Sequence, residues 1–281
     1  MNKSFKSYAK INLGLEILDQ RPDGYHTINS VFLPITLADE IHFQKAKSFA
    51  ISIEPKTIDL PTNENIIFKT VKLIQNKYKI NINSLNIHLV KNIPIGAGLG
   101  GGSSNAATTI VALNELFGLT LSIPQMREFA LLVGADVPFF IDPKPSIVTG
   151  IGEIIEEVEF PFDFFVLIIY PKFQISTSFA FSLVQSFGIQ EKTDYRKALK
   201  KVKKISDFEK YFKNDFEKFL FPKFPILEEI KMKMYHLGAE FASLSGSGST
   251  IYGFFSKEID GNLANELFAD FFVFWAKVLT K

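Results

Sequence analysis

The chain has 281 residues, of which 47% are hydrophobic, and a formal net charge of +1. This length is enough for one large domain or two ordinary ones, and the near-neutral charge argues against an extended nucleic-acid-binding surface. The absence of cysteine excludes disulfides and thiolate metal sites. No stretch has the pattern of a secretory signal or a membrane span, so we expect a cytoplasmic protein with no membrane or nucleic-acid partner.

The first half of the chain is predicted to contain strands followed by helices. Alternation of apolar and polar residues over 11–17 predicts a strand, with Lys10 and Asn12 pointing away from the core. Ser122 with Pro124 predicts the start of a helix. Further strands are expected at 28–33, 40–44, 49–53 and 85–90, and a further helix at 66–78.

The second half predicts the order β-α-β-β-α-β of a ferredoxin-like fold. Its strands are expected at 164–169, 241–244, 250–255 and 272–279, with helices that include 226–236 and 262–269. A boundary near residues 146–153 would divide the chain into an N-terminal domain, 1–148, and a C-terminal domain, 149–281. We interpret the 30 phenylalanines as core filling. The basic run 196–204 is interpreted as a solvated helix face, because acidic residues flank it.

The strongest functional signal is the segment 94–107, with the sequence PIGAGLGGGSSNAA. Glycines let backbone N–H groups approach an anion closely, and the start of a helix offers unpaired N–H groups and a partial positive charge. These features favour a phosphate-binding loop, with Ser103 and Ser104 as caps of the next helix or as ligands of phosphate or Mg²⁺. A mobile glycine linker is the alternative interpretation, but a helix follows the loop at once.

Other classes of glycine-rich loop fit this segment less well. A dinucleotide-binding fold needs an acidic residue about 20 residues further on, at the end of the next strand. Here Glu115 falls within a predicted helix. The G-K-[ST] ending of a P-loop and the H-R-D and D-F-G segments of protein kinases are absent from the sequence. A dinucleotide-dependent oxidoreductase is therefore disfavoured.

The loop resembles that of the GHMP kinase superfamily, which includes galactokinase, homoserine kinase and mevalonate kinase. Further segments occur in that family's order, at 9–13 (AKINL), 21–26 (RPDGYH), 134–138 (GADVP) and 244–248 (LSGSG). The segment 21–26 makes the chain similar to the branch that phosphorylates a cytidine-diphosphate-linked methylerythritol. The resemblance implies an α+β, two-domain fold, with an N-terminal ATP-binding domain, a C-terminal ferredoxin-like domain and Mg·ATP as phosphoryl donor.

The resemblance also implies roles for individual residues. The family's catalytic lysine and aspartate fall on Lys10 and Asp136. The positions implied to bind ATP are Lys91, Pro94, Gly96, Gly98, Leu99, Gly100, Gly101, Gly102, Ser103, Ser104 and Asn65. Those implied to bind the alcohol are Asn12, Tyr25, His26, Asp136, Thr177 and Phe181. An aromatic face can stack on cytosine and a histidine can read its edge.

Each of the main assignments has a structural alternative. Asp136 could be the N-cap of a short helix, and Lys10 could be a solvated strand lysine. Lys91 could be a surface lysine at a strand end, and Phe181 could simply fill the core. Within 187–224, which is rich in Lys and Phe, the pair Asn214-Asp215 is interpreted as a point shared with the family.

Neither a metal site made of protein side chains nor a macromolecular partner is expected. The four histidines lack metal-ligand spacing, and His42 and His88 are expected to be structural. The expected partner is a small-molecule substrate, bound by a monomer or weak homodimer. The functional alternatives are a GHMP kinase for another small alcohol, such as homoserine or mevalonate, and a non-catalytic nucleotide-binding regulator.

Overall fold

A computed structural model describes residues 2–56, 64–184, 192–259 and 261–280. Its strands are β1 Asn2–Gln20, β2 His26–Lys45, β3 Ala50–Glu54, β4 Leu85–Val90, β5 Ser146–Gly150, β6 Ile154–Glu157, β7 Phe165–Tyr170, β8 Phe241–Leu244, β9 Ile251–Phe255 and β10 Phe272–Lys277. Its α-helices are α1 Ile66–Tyr78, α2 Gly101–Leu116, α3 Ile123–Leu131, α4 Thr177–Ser182, α5 Tyr195–Lys201, α6 Phe208–Tyr211, α7 Glu217–Leu220, α8 Pro225–His236 and α9 Gly261–Leu267. Segments Val137–Ile141 and Ile205–Asp207 are 3-10 helices.

The chain forms two compact units whose segments alternate along the sequence. The first unit comprises Met1–Ala9, Leu37–Ile93 and Gly100–Pro143, and the second comprises Lys10–Thr36, Pro94–Leu99 and Lys144–Lys281. The strands β1 and β2 and the glycine-rich loop therefore each contribute residues to both units. The domain boundary between residues 148 and 149 remains a prediction.

Helices of the first unit pack on one another beside a short sheet. Residues 40–45 of β2 pair antiparallel with β4, which pairs parallel with β3. The apolar face of α1, formed by Ile67, Val71 and Ile74, is buried, and α1 packs against α2. The 3-10 helix Val137–Ile141 is entirely buried and packs against both α2 and α3. This unit therefore fixes the start of α2, where the glycine-rich loop ends.

The second unit contains a four-stranded antiparallel sheet in the order β10-β7-β9-β8. Leu167 and Ile251 of this sheet belong to one buried cluster with Leu227, Ile230 and Met234 of α8. Each such side chain stabilises the fold by about 1.5–3 kcal/mol when fully buried. With α9 between β9 and β10, the chain follows the predicted order β-α-β-β-α-β, which confirms the ferredoxin-like half of the fold. Residues 28–32 of β2 pair with β5.

The phenylalanines of the second unit include a dense aromatic cluster. Phe208 is fully buried, and its ring lies 5.1–6.2 Å, centroid to centroid, from several neighbours. These neighbours are Phe160, Phe162, Phe164, Phe212, Phe241 and Phe254. The interpretation of Phe as core filling holds for this cluster. Among the residues that the structure describes, no helix is long and apolar enough to cross a membrane.

Several local predictions differ from the structure. The strands expected at 28–33 and 40–44 are parts of one strand, β2, and β5 with β6 forms a hairpin that was not predicted. The prediction that Lys10 and Asn12 point away from the core is wrong, because both are buried. A polar network in the second unit accommodates them. Residues 187–191 of the Lys- and Phe-rich segment lie outside the described ranges.

Candidate active site

The glycine-rich loop turns by left-handed backbone conformations before α2 begins. Gly96, Gly98 and Gly100 have φ angles of +66°, +83° and +71°, which favour glycine over residues that carry a Cβ. Gly100 is the N-cap of α2, and no side chain caps the helix. The prediction that Ser103 and Ser104 are caps is therefore wrong, since both lie within the first turn. Uncapped N–H groups at a helix start are suited to bind an anion.

A second glycine turn, Ser245–Gly248, supports the first half of the loop. A Cβ atom placed on Gly98 would lie 2.1 Å from the Ser245 carbonyl oxygen, and one on Gly248 would lie 2.3 Å from the Gly98 nitrogen. The Ser245 hydroxyl donates to the Gly98 carbonyl at 3.0 Å, and the Thr250 N–H donates to the Ala97 carbonyl at 3.2 Å. The two turns are thus in direct backbone contact, which only glycine allows at these positions.

A buried carboxylate in the first unit organises the segment that enters the loop. Asp39 is fully buried, and one of its oxygens accepts from the Asn92 and Ile93 N–H groups, at 2.8 Å each. Its other oxygen lies 2.5 Å from the Lys91 ammonium and accepts from the Asn105 amide at 2.8 Å. Asp39 therefore connects β2, the end of β4 and α2 through charge-assisted hydrogen bonds.

The environment of Lys91 excludes the surface alternative for this residue. Its side chain is only 8% exposed, and a Cβ atom on Gly101 would lie 2.9 Å from its ammonium nitrogen. Burial lowers the pKa of Lys91, and the charge of Asp39 opposes that change. In the same region the Ser7 hydroxyl donates to that of Ser104, at 2.8 Å. Lys91 therefore lies near the start of α2, as part of a bonded network.

The other predicted residues of the first unit lie at helix starts. Asn65 is buried and caps α1, since its side-chain oxygen accepts from the Ile67 N–H at 2.8 Å. Asp136 directly precedes the helix Val137–Ile141, yet its side chain makes no capping hydrogen bond there. The alternative of an ordinary N-cap therefore lacks its defining contact.

In the second unit, the Lys10 side chain contacts Asn12 and Phe32. Its side chain is buried, its ammonium donates to the Asn12 side-chain oxygen, and it lies 4.6 Å from the centroid of the Phe32 ring. The Lys10 N–H donates to the Leu99 carbonyl of the glycine-rich loop at 3.0 Å. The alternative of a solvated strand lysine is therefore wrong.

The second glycine turn also lies against Lys10 and Asn12. A Cβ atom on Gly246 would be 3.1 Å from the Asn12 side-chain oxygen and 3.5 Å from the Lys10 ammonium. The buried Asn214 amide donates to the carbonyls of Leu244 and Gly246, at 2.8 Å each, and so fixes this turn. Asn214 belongs to the pair that was interpreted from its sequence as a point shared with the family.

An aromatic pair lies near the start of β2. The rings of His26 and Phe181 are stacked, with centroids 5.0 Å apart and planes 16° apart, while Tyr25 is 60% exposed. Burial lowers the pKa of His26 below its ordinary value of 6.5, so the neutral ring predominates at pH 7. Thr177 accepts a hydrogen bond from Ser247 at 3.3 Å. Phe181 also packs on the core of the second unit, as its structural alternative predicts, and its role in stacking on a substrate stays a prediction.

The predicted site residues fall into two sets, one within each unit. The first unit holds Lys91, Asn65, Asp136 and the residues from Gly100 to Ser104, and the second holds the rest. Two fully buried residues of these networks, Asp39 and Ser30, were not predicted from the sequence. A single polar residue in a strand carries no motif, so neither position had a signal that could have revealed it.

Comparison with known families supports the resemblance seen in the motifs. The family model for the GHMP kinases N terminal domain matches residues 65–142, and that for the GHMP kinases C terminal matches residues 195–273. A 4-diphosphocytidyl-2-C-methyl-D-erythritol kinase of Chlorobium phaeobacteroides is 38% identical over 96% of this chain and 94% of its own. The kinase of the same name from Thermodesulfovibrio yellowstonii is 34% identical over 98% of this chain and 96% of its own.

Solved structures agree with this relationship. A crystal structure of 4-(cytidine 5'-diphospho)-2C-methyl-D-erythritol kinase covers 99% of this chain and 100% of its own, with a TM-score of 0.83 and 26% identity. Mevalonate kinase of Methanococcus jannaschii shares the fold, with a TM-score of 0.69 at 17% identity over 100% of this chain and 99% of its own. The chain therefore belongs to the GHMP kinase family, and its relatives over nearly the whole length include 4-diphosphocytidyl-2-C-methyl-D-erythritol kinases.

Proposed function

We propose that the chain transfers the γ-phosphoryl group of ATP to the 2-hydroxyl of 4-diphosphocytidyl-2-C-methyl-D-erythritol, a step in non-mevalonate isoprenoid precursor biosynthesis. The observation that carries this proposal is 38% identity over 96% of the chain to a kinase of that name. The alternative of a mevalonate or homoserine kinase has weaker support, since structures of those kinases are 17% and 15% identical.

ATP binding is supported by the glycine-rich loop. Its left-handed glycines and the uncapped start of α2 suit phosphate oxygens. Mg²⁺ would enter with ATP, since it is usually held by substrate phosphates and waters with one or two protein groups. No group of three His, Cys, Asp or Glu residues in the described ranges could hold a metal ion. The partly exposed Ser103, in the first turn of α2, is suited to contact a phosphate-bound metal.

Catalysis is assigned to Lys10 and Asp136. Phosphoryl transfer depends on positioning and on stabilising charge around the transferred group. The oxygen of the 2-hydroxyl would attack the γ-phosphorus, the bond from that phosphorus to the β–γ bridging oxygen would break, and ADP would leave. Asp136 would accept the hydroxyl proton, and the Lys10 ammonium, held by Asn12, would stabilise the developing negative charge.

Selectivity for the cytidine-bearing alcohol is assigned to Tyr25, His26 and Phe181. The exposed Tyr25 and the neighbouring stacked pair His26–Phe181 offer aromatic faces on which a base can stack. Such stacking does not depend on which base is present, but it does require a base. Neutral His26 can donate and accept hydrogen bonds at a cytosine edge. Mevalonate and homoserine have no base and would leave these contacts unused.

A coupled ADP-release assay tests the substrate. The purified chain is incubated with Mg·ATP and a panel of alcohols, with and without the cytidine group. We expect turnover with 4-diphosphocytidyl-2-C-methyl-D-erythritol and little with mevalonate or homoserine. Equal turnover of all three would overturn the substrate assignment and retain the kinase class, whereas ATP binding without any turnover would favour the non-catalytic regulator.

Variants of the two assigned catalytic residues test the mechanism. Asp136→Asn keeps the shape of the side chain but removes the base, so kcat should fall by about 10²–10⁴-fold with substrate binding retained. Lys10→Met should give a comparable loss, and the double variant should be little worse than either single one if the two act as a unit. Full kcat in Asp136→Asn, with a slightly lower Tm, would instead assign Asp136 a structural role.

A further inference from the structure

The Ser30 hydroxyl can orient its hydrogen in only one direction. Ser30 lies in β2 and is fully buried. Its hydroxyl donates to the Gly14 carbonyl at 2.6 Å and accepts from the Asn12 side-chain nitrogen at 3.0 Å. A serine hydroxyl has one hydrogen, and a carbonyl oxygen can only accept. The Ser30 hydrogen is therefore committed to Gly14, and only lone pairs remain for Asn12.

This commitment determines which way the Asn12 amide faces. An asparagine has an NH₂ end that donates and an oxygen end that accepts. Because Ser30 presents only lone pairs, the NH₂ end must face Ser30, and the oxygen end is left to accept from the Lys10 ammonium. The reversed amide would place oxygen against lone pairs and NH₂ against the ammonium. Both contacts would be repulsive, so Ser30 excludes that arrangement.

The direction of the Gly14 carbonyl is itself fixed by packing. Gly14 has a φ of +69°, in the left-handed region. A Cβ atom there would lie 2.7 Å from the Tyr195 hydroxyl and 3.3 Å from the Phe212 Cα. Tyr195 is fully buried and stacks on Phe212, so a packed aromatic wall lies beside Gly14. The backbone at Gly14 is therefore tightly enclosed, and its carbonyl is a fixed acceptor for Ser30.

We propose that Ser30 is a positioning residue for phosphoryl transfer, which acts through Asn12 to hold the Lys10 ammonium in its catalytic place. The proposal rests on the proposed function, in which Lys10 stabilises the transferred group. Ser30 itself contacts neither substrate nor the reacting atoms. Its role is to exclude the reversed orientation of the Asn12 amide. No motif in the sequence around Ser30 indicates this role.

Kinetics of Ser30→Ala provide the first test. Without the hydroxyl, the Asn12 amide can reverse and displace Lys10, so we expect kcat to fall about tenfold, the size expected for one lost buried hydrogen-bond partner. KM for ATP should stay nearly unchanged. The control is Ser146→Ala, which removes another buried serine of the same unit, whose hydroxyl donates to the Lys144 carbonyl at 2.8 Å. It should lose stability comparably and keep its kcat.

A double-mutant cycle separates positioning from general destabilisation. Asn12→Asp replaces the amide by a carboxylate, which presents an oxygen to Lys10 in either orientation. The cycle compares the effect of Ser30→Ala in the two backgrounds, so the effect of Asn12→Asp alone on kcat does not matter. Ser30→Ala should therefore lower kcat much less in the Asn12→Asp background than in the wild type. A purely structural Ser30 would give the same factor in both backgrounds, and that result would overturn the proposal.

A measurement that does not need turnover keeps the two proposals distinguishable. In protein with ¹⁵N-labelled lysine, the side-chain ¹H–¹⁵N signal of Lys10 is assigned by its loss in Lys10→Met. We expect it to be sharp in the wild type and in Ser146→Ala, and broadened or shifted in Ser30→Ala. An identical Lys10 signal in wild type and Ser30→Ala would overturn the positioning role. A wild type that turns over no alcohol, with the signal difference intact, would overturn the proposed function alone.

Discussion

The two halves of the glycine-rich loop are held by different kinds of contact. In the first half, Gly98 meets the backbone of the second glycine turn so closely that a Cβ atom would lie 2.1 Å from the Ser245 carbonyl oxygen. In the second half, which opens α2, the Asn105 amide donates to the buried Asp39 at 2.8 Å, and a Cβ atom on Gly102 would have no atom within 4 Å. Glycines that look alike in the sequence therefore serve close packing at one end and open access at the other.

Gly98→Ala is expected to have the largest effect on stability. The left-handed backbone should cost about 1–2 kcal/mol and the overpacking against Ser245 about 1–3 kcal/mol more. Urea denaturation measures the total. The matched control is Gly118→Ala, where φ is +59° and no atom lies within 4 Å, so only the backbone cost applies. Equal losses in the two variants would show that the contact between the turns contributes nothing.

Asp39→Asn should break the hydrogen-bond network that supports the second half of the glycine-rich loop. The change leaves the Lys91 ammonium buried without its counter-charge, and breaking such a pair costs about 3 kcal/mol or more. The pKa of Lys91, already lowered by burial, should fall further. Between the lowered pKa of the folded variant and the ordinary pKa of 10.5, the folded variant would bind fewer protons than the unfolded chain, so its stability should rise with pH across that range.

The pH dependence has a direct control. Asp39→Asn combined with Lys91→Met has no titrating group at this position, so the added slope of unfolding free energy against pH should disappear. Urea denaturation across the alkaline range, up to the ordinary lysine pKa of 10.5, measures both variants. A slope that persists in the double variant would assign it to another group.

Tyr25→Ala provides a reference outside both halves of the loop. Stacking on a base is worth about 1–3 kcal/mol, so KM for the cytidine-bearing alcohol should rise about tenfold while KM for ATP stays the same. Because the side chain is 60% exposed, Tm should hardly change. Leu132→Ala, at a side chain 65% exposed, is the control for removing exposed apolar surface. A rise in KM for ATP instead would move Tyr25 to the nucleotide site.

Gly102→Ala should have a small effect on stability, with the opposite sign to that of Gly98→Ala. The position is exposed and lies in the first turn of α2, so alanine should stabilise the helix by up to about 1 kcal/mol. Its methyl group should at the same time weaken nucleotide binding by hindering the approach of phosphate. Gly101 is less suitable for this test, because a Cβ there would meet Ile93 and Lys91 at 2.9 Å. Unchanged ATP affinity in a stabilised Gly102→Ala protein would argue against a phosphate at this helix start.

Much of the fold was predictable from local patterns. The helix α3 was expected from Ser122 and Pro124, and the structure has a capping box there, formed by Ser122 and Gln125. The strands β7 to β10 were expected from their apolar runs. The hairpin of β5 and β6 was missed, since its short strands are only partly apolar and a domain boundary was expected near residues 146–153 instead.

The sequence by itself determined the class of loop, the order of elements and the family, because motifs and periodicity are properties of residues close together along the chain. Only the tertiary structure decided that Lys10 and Lys91 are buried and which groups hold them. A lysine in a polar sequence context is expected to be solvated, and its burial depends on residues distant in sequence. Asp39 lies 52 positions from Lys91, and Ser30 lies 18 positions from Asn12, which accepts from Lys10. Hydrogen-bond partners of this kind are selected by the fold, because the direction and spacing of donors and acceptors exist only once the strands are paired.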